Sequence, residues 1–341
     1  MTIVEKLRRL VIGASLVGLV AIWQITPAHA DDFRTVLIYD LGGKFDRSFN
    51  EAAYKGAEKF REETNIRYRD FEPTNEAQFE QALRRFARRK ADLIVAIGVS
   101  YKVPLRNVAR EFPDQRFTAV DASVDLPNVQ SILFKEHEGS FLVGMLAAMK
   151  AENATIGFIG GMDIPLIRRF GLGYAEGAKY VNPDIRILRN MVGTTPSAWS
   201  DPIKGAELAR SQYARGADII FAAAGPAGLG VLQAARDAEK FAIGVDSNQN
   251  HIQPGYVLTS MLKRVDLAVY RAMAEGRDGS WKPGITILGL KEAGVDYAVD
   301  DHNRSLMTSE MIERLEAAKK KIVSGAITVT DAMADDQSGG H

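Results

Sequence analysis

The chain has 341 residues, no cysteine, and 43 basic against 43 acidic side chains. The missing cysteine excludes disulfides, thiolate metal sites and cysteine nucleophiles. The balanced charge gives no field to draw nucleic acid or an anionic membrane surface, and the length exceeds what one hydrophobic core usually fills, so two domains are expected.

The first thirty residues read as a leader. Lys6, Arg8 and Arg9 make a positive start, an apolar run follows over 10–23, and Pro27 leads into Ala28-His29-Ala30, a small-x-small cleavage pattern. The run is short of the ~20 apolar residues that span a bilayer. Residues 1–30 are therefore expected to be a signal peptide cut after Ala30. The mature chain would carry 40 basic and 42 acidic residues. With no cysteine to take a lipid, it is expected free in the periplasm, as a monomer without direct membrane anchoring.

Past the leader, short apolar runs alternate with helical periods. Strands are expected at 35–40, 91–97 and 117–120, with a helix over 48–62. Such alternation argues for a parallel sheet flanked by helices. The pattern then returns. Lys90-Ala91-Asp92-Leu93-Ile94-Val95-Ala96 recurs as Gly216-Ala217-Asp218-Ile219-Ile220-Phe221-Ala222, and Val120-Asp121 as Val245-Asp246. Gly56 and Gly177 stand 121 residues apart, Asp121 and Asp246 125. A colinear set at nearly one offset points to two lobes of similar topology; convergence on common βα patterns is the alternative. A polar break at 300–302 precedes an amphipathic helix over 309–322, whose lysines suit a helix C-terminus. The tail 326–341 is expected to be flexible.

Ligands of open α/β sheets bind beyond the carboxyl ends of the strands. That rule selects Asp40, the turn Gly98-Val99-Ser100-Tyr101, Asp121, Gly160-Gly161, Gly225-Pro226 and Asp246. Phe49 and Phe170 share the 121-residue offset of the glycine pair. If the lobes face each other, the two rings form a slot for a flat ligand; otherwise they are core residues, the ordinary fate of Phe. Asp121 serves either as a turn cap or as a site residue, whereas Asp246 heads a polar loop and suits a vicinal diol. The acids lack the spacing of a calcium loop. No Gly-x-Ser-x-Gly, His-Glu-x-x-His or Walker loop is present, so neither metal nor cofactor is expected and an enzyme is disfavoured.

Several motifs together resemble one family. They are Asp40-x-Gly42-Gly43-x-x-Asp46-x-Ser48-Phe49-Asn50, Gly160-Gly161-Met162-x-x-Pro165 with Phe170, Trp199-Ser200-Asp201-Pro202, Ala224-Gly225-x-x-Gly228-x-Gly230, and Gly244-Val245-Asp246 with Leu258-Thr259-Ser260-x-x-Lys263. The chain resembles the basic membrane protein family of ABC-transporter substrate-binding proteins, the purine nucleoside receptor group, from about Thr35 to Val323. The resemblance implies an α/β fold of the type I periplasmic-binding-protein kind, two doubly wound parallel-sheet lobes joined by a three-stranded hinge. It implies base stacking by Phe49 and Phe170. Polar contacts would come from Asp40, Asn50, Asp121, Gly225, Asp246 and Lys263, the last two near a ribose, with Tyr101 and Trp199 as further candidates. The expected lobes are 31–133 plus 260–285 and 134–259 plus 286–325. The expected function is capture of a small polar ligand, a purine nucleoside, for a membrane permease; a ligand sensor for a membrane receptor is the alternative, and a nucleoside- or sugar-metabolising enzyme a weaker one. Two departures bear on the ligand: Gly98-Val99-Ser100-Tyr101 where the family often has Gly-x-Gly-Phe, and Asn248-Gln249 where it often has Asp-Gln.

Overall fold

The structure, a computed structural model, describes residues 33–334. The expected signal peptide and the end of the tail, 335–341, lie outside the described residues.

In chain order the first half contains β1 (Thr35–Ile38), α1 (Phe49–Thr64), β2 (Arg69–Phe71), α2 (Ala77–Arg88), β3 (Leu93–Ile97), α3 (Lys102–Glu111), β4 (Phe117–Val120) and β5 (Val129–Phe134). After α4 (Glu136–Lys150) come β6 (Thr155–Met162), α5 (Pro165–Val181), β7 (Arg186–Gly193), α6 (Pro202–Ala214), β8 (Ile219–Ala223), α7 (Gly228–Asp237), β9 (Phe241–Asp246) and β10 (Val257–Lys263). The chain closes with α8 (Val265–Asp278), β11 (Gly284–Leu288), β12 (Val295–Tyr297) and α9 (Ser309–Val323).

The strands form two sheets, β11-β5-β4-β3-β1-β2 and β12-β10-β9-β8-β6-β7. Counted from each sheet's own first strand, the order is the same. All pairings are parallel except β10 with β12. Helices cover both faces of such sheets, which is why β3 and β8 read as unbroken apolar runs and are buried along their whole length.

The repeated residues have physical work in common. Lys90 and Gly216 take φ of 54° and 94° where a helix turns into β3 or β8; Asp121 and Asp246 take 68° and 64° at the ends of β4 and β9. Gly56 of α1 lies against α8 and Gly177 of α5 against α4, so close that a Cβ would sit 2.1 Å from the Asp266 carbonyl oxygen and 1.9 Å from that of Phe141. Each lobe thus brings the helix after its first strand into backbone contact with a helix that follows a strand of the other lobe's sheet.

Three crossings join the lobes. β5 ends in the first sheet and α4 packs in the second lobe; β10 ends in the second sheet and α8 packs in the first; β11 pairs with β5 before the chain returns to β12 and α9. The crossings fall at Lys135, Arg264 and after Leu288, so all three expected boundaries move, the first by one residue because Phe134 still pairs with Leu288. β10 keeps its register with β9 to Leu262, which puts 260–263 in the second lobe, and β11 pairs with β5 through Leu288, past the expected 285. Gly160 and Gly161 lie within β6 rather than beyond it.

The segment after α9 also departs from expectation. Val329 is buried, the Thr330 amide donates to Glu176, and Asp331 pairs with Arg169 of α5. A buried arginine and an apolar anchor hold down what composition alone marks as a loose end. Among the described residues no helix is long and apolar enough to cross a membrane.

Candidate functional site

The carboxyl ends of the strands of both sheets face one cavity. It is lined from the first lobe by Asp40, Phe49, Asn50 and Asp121, and from the second by Phe170, Trp199, Gly225, Asp246 and Lys263. The cavity volume is about 80 Å³.

Local structure explains how each side chain arrives. Asp46 accepts the amides of Ser48, Asn50 and Glu51, at 2.8, 3.0 and 3.0 Å, and so caps the start of α1. That cap puts Phe49 at the first helical position, in the cavity wall. α5 begins earlier, at Pro165, so Phe170 sits one turn deeper in its helix and is 2 % exposed. Trp199 lies over Gly161, where a Cβ would come within 2.3 Å of the ring. Gly161 therefore makes room for an indole, not for a ligand. Gly98, at φ +114°, turns the chain beneath Asp40; a Cβ there would fall 2.0 Å from its Oδ2.

Lys263, the one cation among the described lining residues, ends β10 with its side chain 2 % exposed. Its Nζ lies 2.5 Å from Asp121 Oδ2 and 2.9 Å from Glu136 Oε1, the latter an ionic contact rather than a well-directed hydrogen bond. The same ammonium stands 5.4 Å from the Phe49 ring centre and 5.6 Å from that of Phe170. No ring contact joins Phe49 to Phe170 among the described residues.

The two strand-end aspartates are each held by the opposite lobe. Asp121 of the first sheet takes Lys263 of the second, and Asp246 Oδ2 accepts a 2.6 Å hydrogen bond from Ser48 Oγ. Ser247 Oγ donates to the Ser48 carbonyl at 2.8 Å, and Gln249 Nε2 to that of Arg47 at 2.9 Å. The lobes are closed on each other.

Burial dominates the titration of the acids. It pushes Asp40 and Asp46 each up to about 7, against the amide hydrogen bonds that favour their charged forms. Asp121 is pushed up to about 6 despite Lys263, and Asp246 is raised for the same reason. Burial alone would lower Lys263, but Asp121, Glu136 and Asp246 outweigh it and hold the ammonium protonated. Asp121 Oδ1 is buried without a partner, and an ammonium has three donors. The polar end of the cavity therefore has spare acceptors and a spare donor beside two aromatic rings, the complement of a ligand with hydroxyls at one end and a flat apolar face at the other.

Two expected residues read differently in place. Tyr101 does not line the cavity. The turn at Gly98 sends its fully buried ring toward α2, against Phe79 at 4.5 Å between centres, and its hydroxyl donates to the Tyr39 carbonyl at 2.9 Å. Asn50 reaches the wall, but its amide is spent on the loop after β1, donating to the carbonyls of Asp40 and Gly43 and accepting the Asp40 amide. Lys263, expected beside Asp246, has Asp121 and Glu136 as its direct partners. Sequence reasoning passed over Ser48, although it stood in a quoted motif, and Glu136. The signal for Glu136 was an acid opening a helix whose body is apolar throughout.

Comparison with known proteins agrees with this architecture. The family described as ABC transporter substrate-binding protein PnrA-like matches residues 33–332. An uncharacterised lipoprotein of Pyrococcus abyssi is 33% identical over 316 residues, covering 85% of this chain and 77% of the relative. A Lactococcus lactis protein named ABC transporter nucleoside-binding protein BmpA is 31% identical, covering 87% of this chain and 89% of its own length. The crystal structure of an ABC transporter solute-binding protein from Aeropyrum pernix superposes with a TM-score of 0.82 at 29% identity, covering 89% of this chain and 95% of that one. The matching family and the superposed Aeropyrum structure are those of solute-binding proteins, not enzymes, and the fold is the two-lobed type I kind. The chain belongs to the family of PnrA-like ABC transporter substrate-binding proteins.

Proposed function

We propose that the cavity takes a purine nucleoside, which the exported protein carries through the periplasm to its membrane permease. The observation that supports this most is the meeting of Phe49 and Phe170 with Lys263, Asp121 and Asp246 in one closed cavity. A base between the rings gains stacking worth ~1–3 kcal/mol where such contacts have been measured. The ribose hydroxyls would meet the spare oxygens of Asp121 and Asp246 and the free donor of Lys263. Asp40, near half-protonated at neutral pH, can accept from a ring N–H or donate to a ring nitrogen, and Trp199 and Gly225 complete the wall. The printed name of the Lactococcus relative points the same way.

Gentle denaturation of protein purified from its own periplasm, followed by mass spectrometry of what is released, tests the reading. A purine nucleoside is expected. A released sugar, amino acid or peptide, with no calorimetric binding of inosine to the stripped protein, overturns it.

A further inference from the structure

Behind the cavity runs a line of buried charges of alternating sign. Asp121 and Lys263 form its cavity end. Glu136, the first residue of α4 and 1 % exposed, contacts Lys263 through Oε1 and Arg169 through Oε2, at 2.9 Å in each case. Arg169 of α5, 2 % exposed, is a node. Its Nη1 also donates to the Phe134 carbonyl at 2.7 Å, at the first lobe crossing, and its Nε to His137 Nδ1 at 3.0 Å. Its Nη2 pairs with Asp331 of the C-terminal segment. Arg169 immediately precedes Phe170, the ring in the cavity wall.

We propose that the C-terminal segment acts as a strap whose Asp331, through Arg169 and Glu136, positions Lys263 and Phe170 for the ligand. The physical reason is competition for one carboxylate. A buried guanidinium must have its charge met, and Asp331 meets half of it. Glu136 can then divide itself between Arg169 and Lys263. Without Asp331, Arg169 draws Glu136 wholly to itself. Lys263 loses its second counter-charge, turns toward Asp121, and no longer offers its remaining donor to the cavity. His137 cannot stand in, because its Nδ1 accepts from Arg169 and the ring is neutral; burial and then Arg169 itself hold that imidazole below its ordinary range. Asp331 touches no ligand and is a positioning residue.

The test compares the parent with Asp331→Asn, nearly isosteric, and Asp331→Glu, which restores the carboxylate. The first readout needs no ligand. The Lys263 ammonium resonance in ¹H–¹⁵N spectra, assigned by its loss in Lys263→Arg, should shift or broaden in Asp331→Asn and return in Asp331→Glu. The second readout, inosine affinity by calorimetry, rests on the nucleoside reading; it should fall about 2–30-fold in Asp331→Asn and recover in Asp331→Glu. An unmoved resonance in Asp331→Asn with only a lower Tm would overturn the proposal and leave the strap a structural clasp. A parent that binds no inosine but shows the coupled resonance would refute the nucleoside and retain the strap.

Discussion

Asp121 and Asp246 hold equivalent places, yet their partners set them apart. Asp121 is tied to an ammonium, Asp246 to a hydroxyl. Asp246 therefore keeps more of its charge for a ligand, and a diol that satisfies it also satisfies a burial cost. A ligand missing one hydroxyl leaves that carboxylate short of a bond worth about 1–3 kcal/mol. Inosine is expected to bind at least ~10-fold more tightly than 2′-deoxyinosine, and Asp246→Ala to lower affinity and erase most of that preference. Calorimetric titration of both ligands on both proteins decides it. Equal affinities on the parent would mean that Asp246 does not read the sugar and serves to fasten Ser48 across the cleft.

At the scale of the element, the helix pairs α1–α8 and α4–α5 carry the fold's symmetry. Ridges of ordinary side chains would hold such helices apart. Here Gly56, Gly173 and Gly177 remove the ridge, and a Cβ on Gly177 would strike a carbonyl oxygen, which cannot swing aside as a side chain can. Gly177→Ala should therefore cost about 1–3 kcal/mol as overpacking, read as a lower urea midpoint at unchanged slope. Unchanged stability would show that the helices can separate freely.

For the whole molecule, closing two lobes over four aspartates has a consequence in pH. An unfolded Asp titrates near ~3.9, whereas Asp40 and Asp46 are pushed up to about 7 and Asp121 up to about 6. Between those limits the native state binds protons that the unfolded state has released. The part of the stability that these three groups carry is full below about pH 4 and falls as pH rises toward 7, whereas paired carboxyls such as Asp218 and Asp331, held below their ordinary range, lose theirs as pH falls. Chemical denaturation of ligand-free protein from pH 4.5 to 7.5 should follow this fall, and Asp40→Asn, which keeps an acceptor for the Leu41 amide, should flatten it. Identical slopes in parent and variant would place Asp40 in a more watered setting than the closed lobes give it.

What the sequence determined by itself was whatever is local or repeated. Apolar runs fixed the strands, because a sheet covered on both faces has no polar side. The offset shared by Gly56 and Gly177 fixed the doubling, because each lobe needs the same bare contact. Strand-end position picked out Asp40, Asp121, Gly225 and Asp246, and the family resemblance added Lys263; all five line the one cavity. The tertiary structure alone decided which lobe owns 260–263, since register with β9 is a pairing between distant segments. It turned Tyr101 inward, because the direction of a side chain after Gly98 depends on a backbone angle no neighbour specifies. It gave Lys263 to Asp121 and Glu136 rather than to Asp246, because ion pairs across a closed cleft are chosen by distance between lobes. It also drew the chain's last described residues onto Arg169, a buried cation whose need for a partner cannot be read from the tail's own composition.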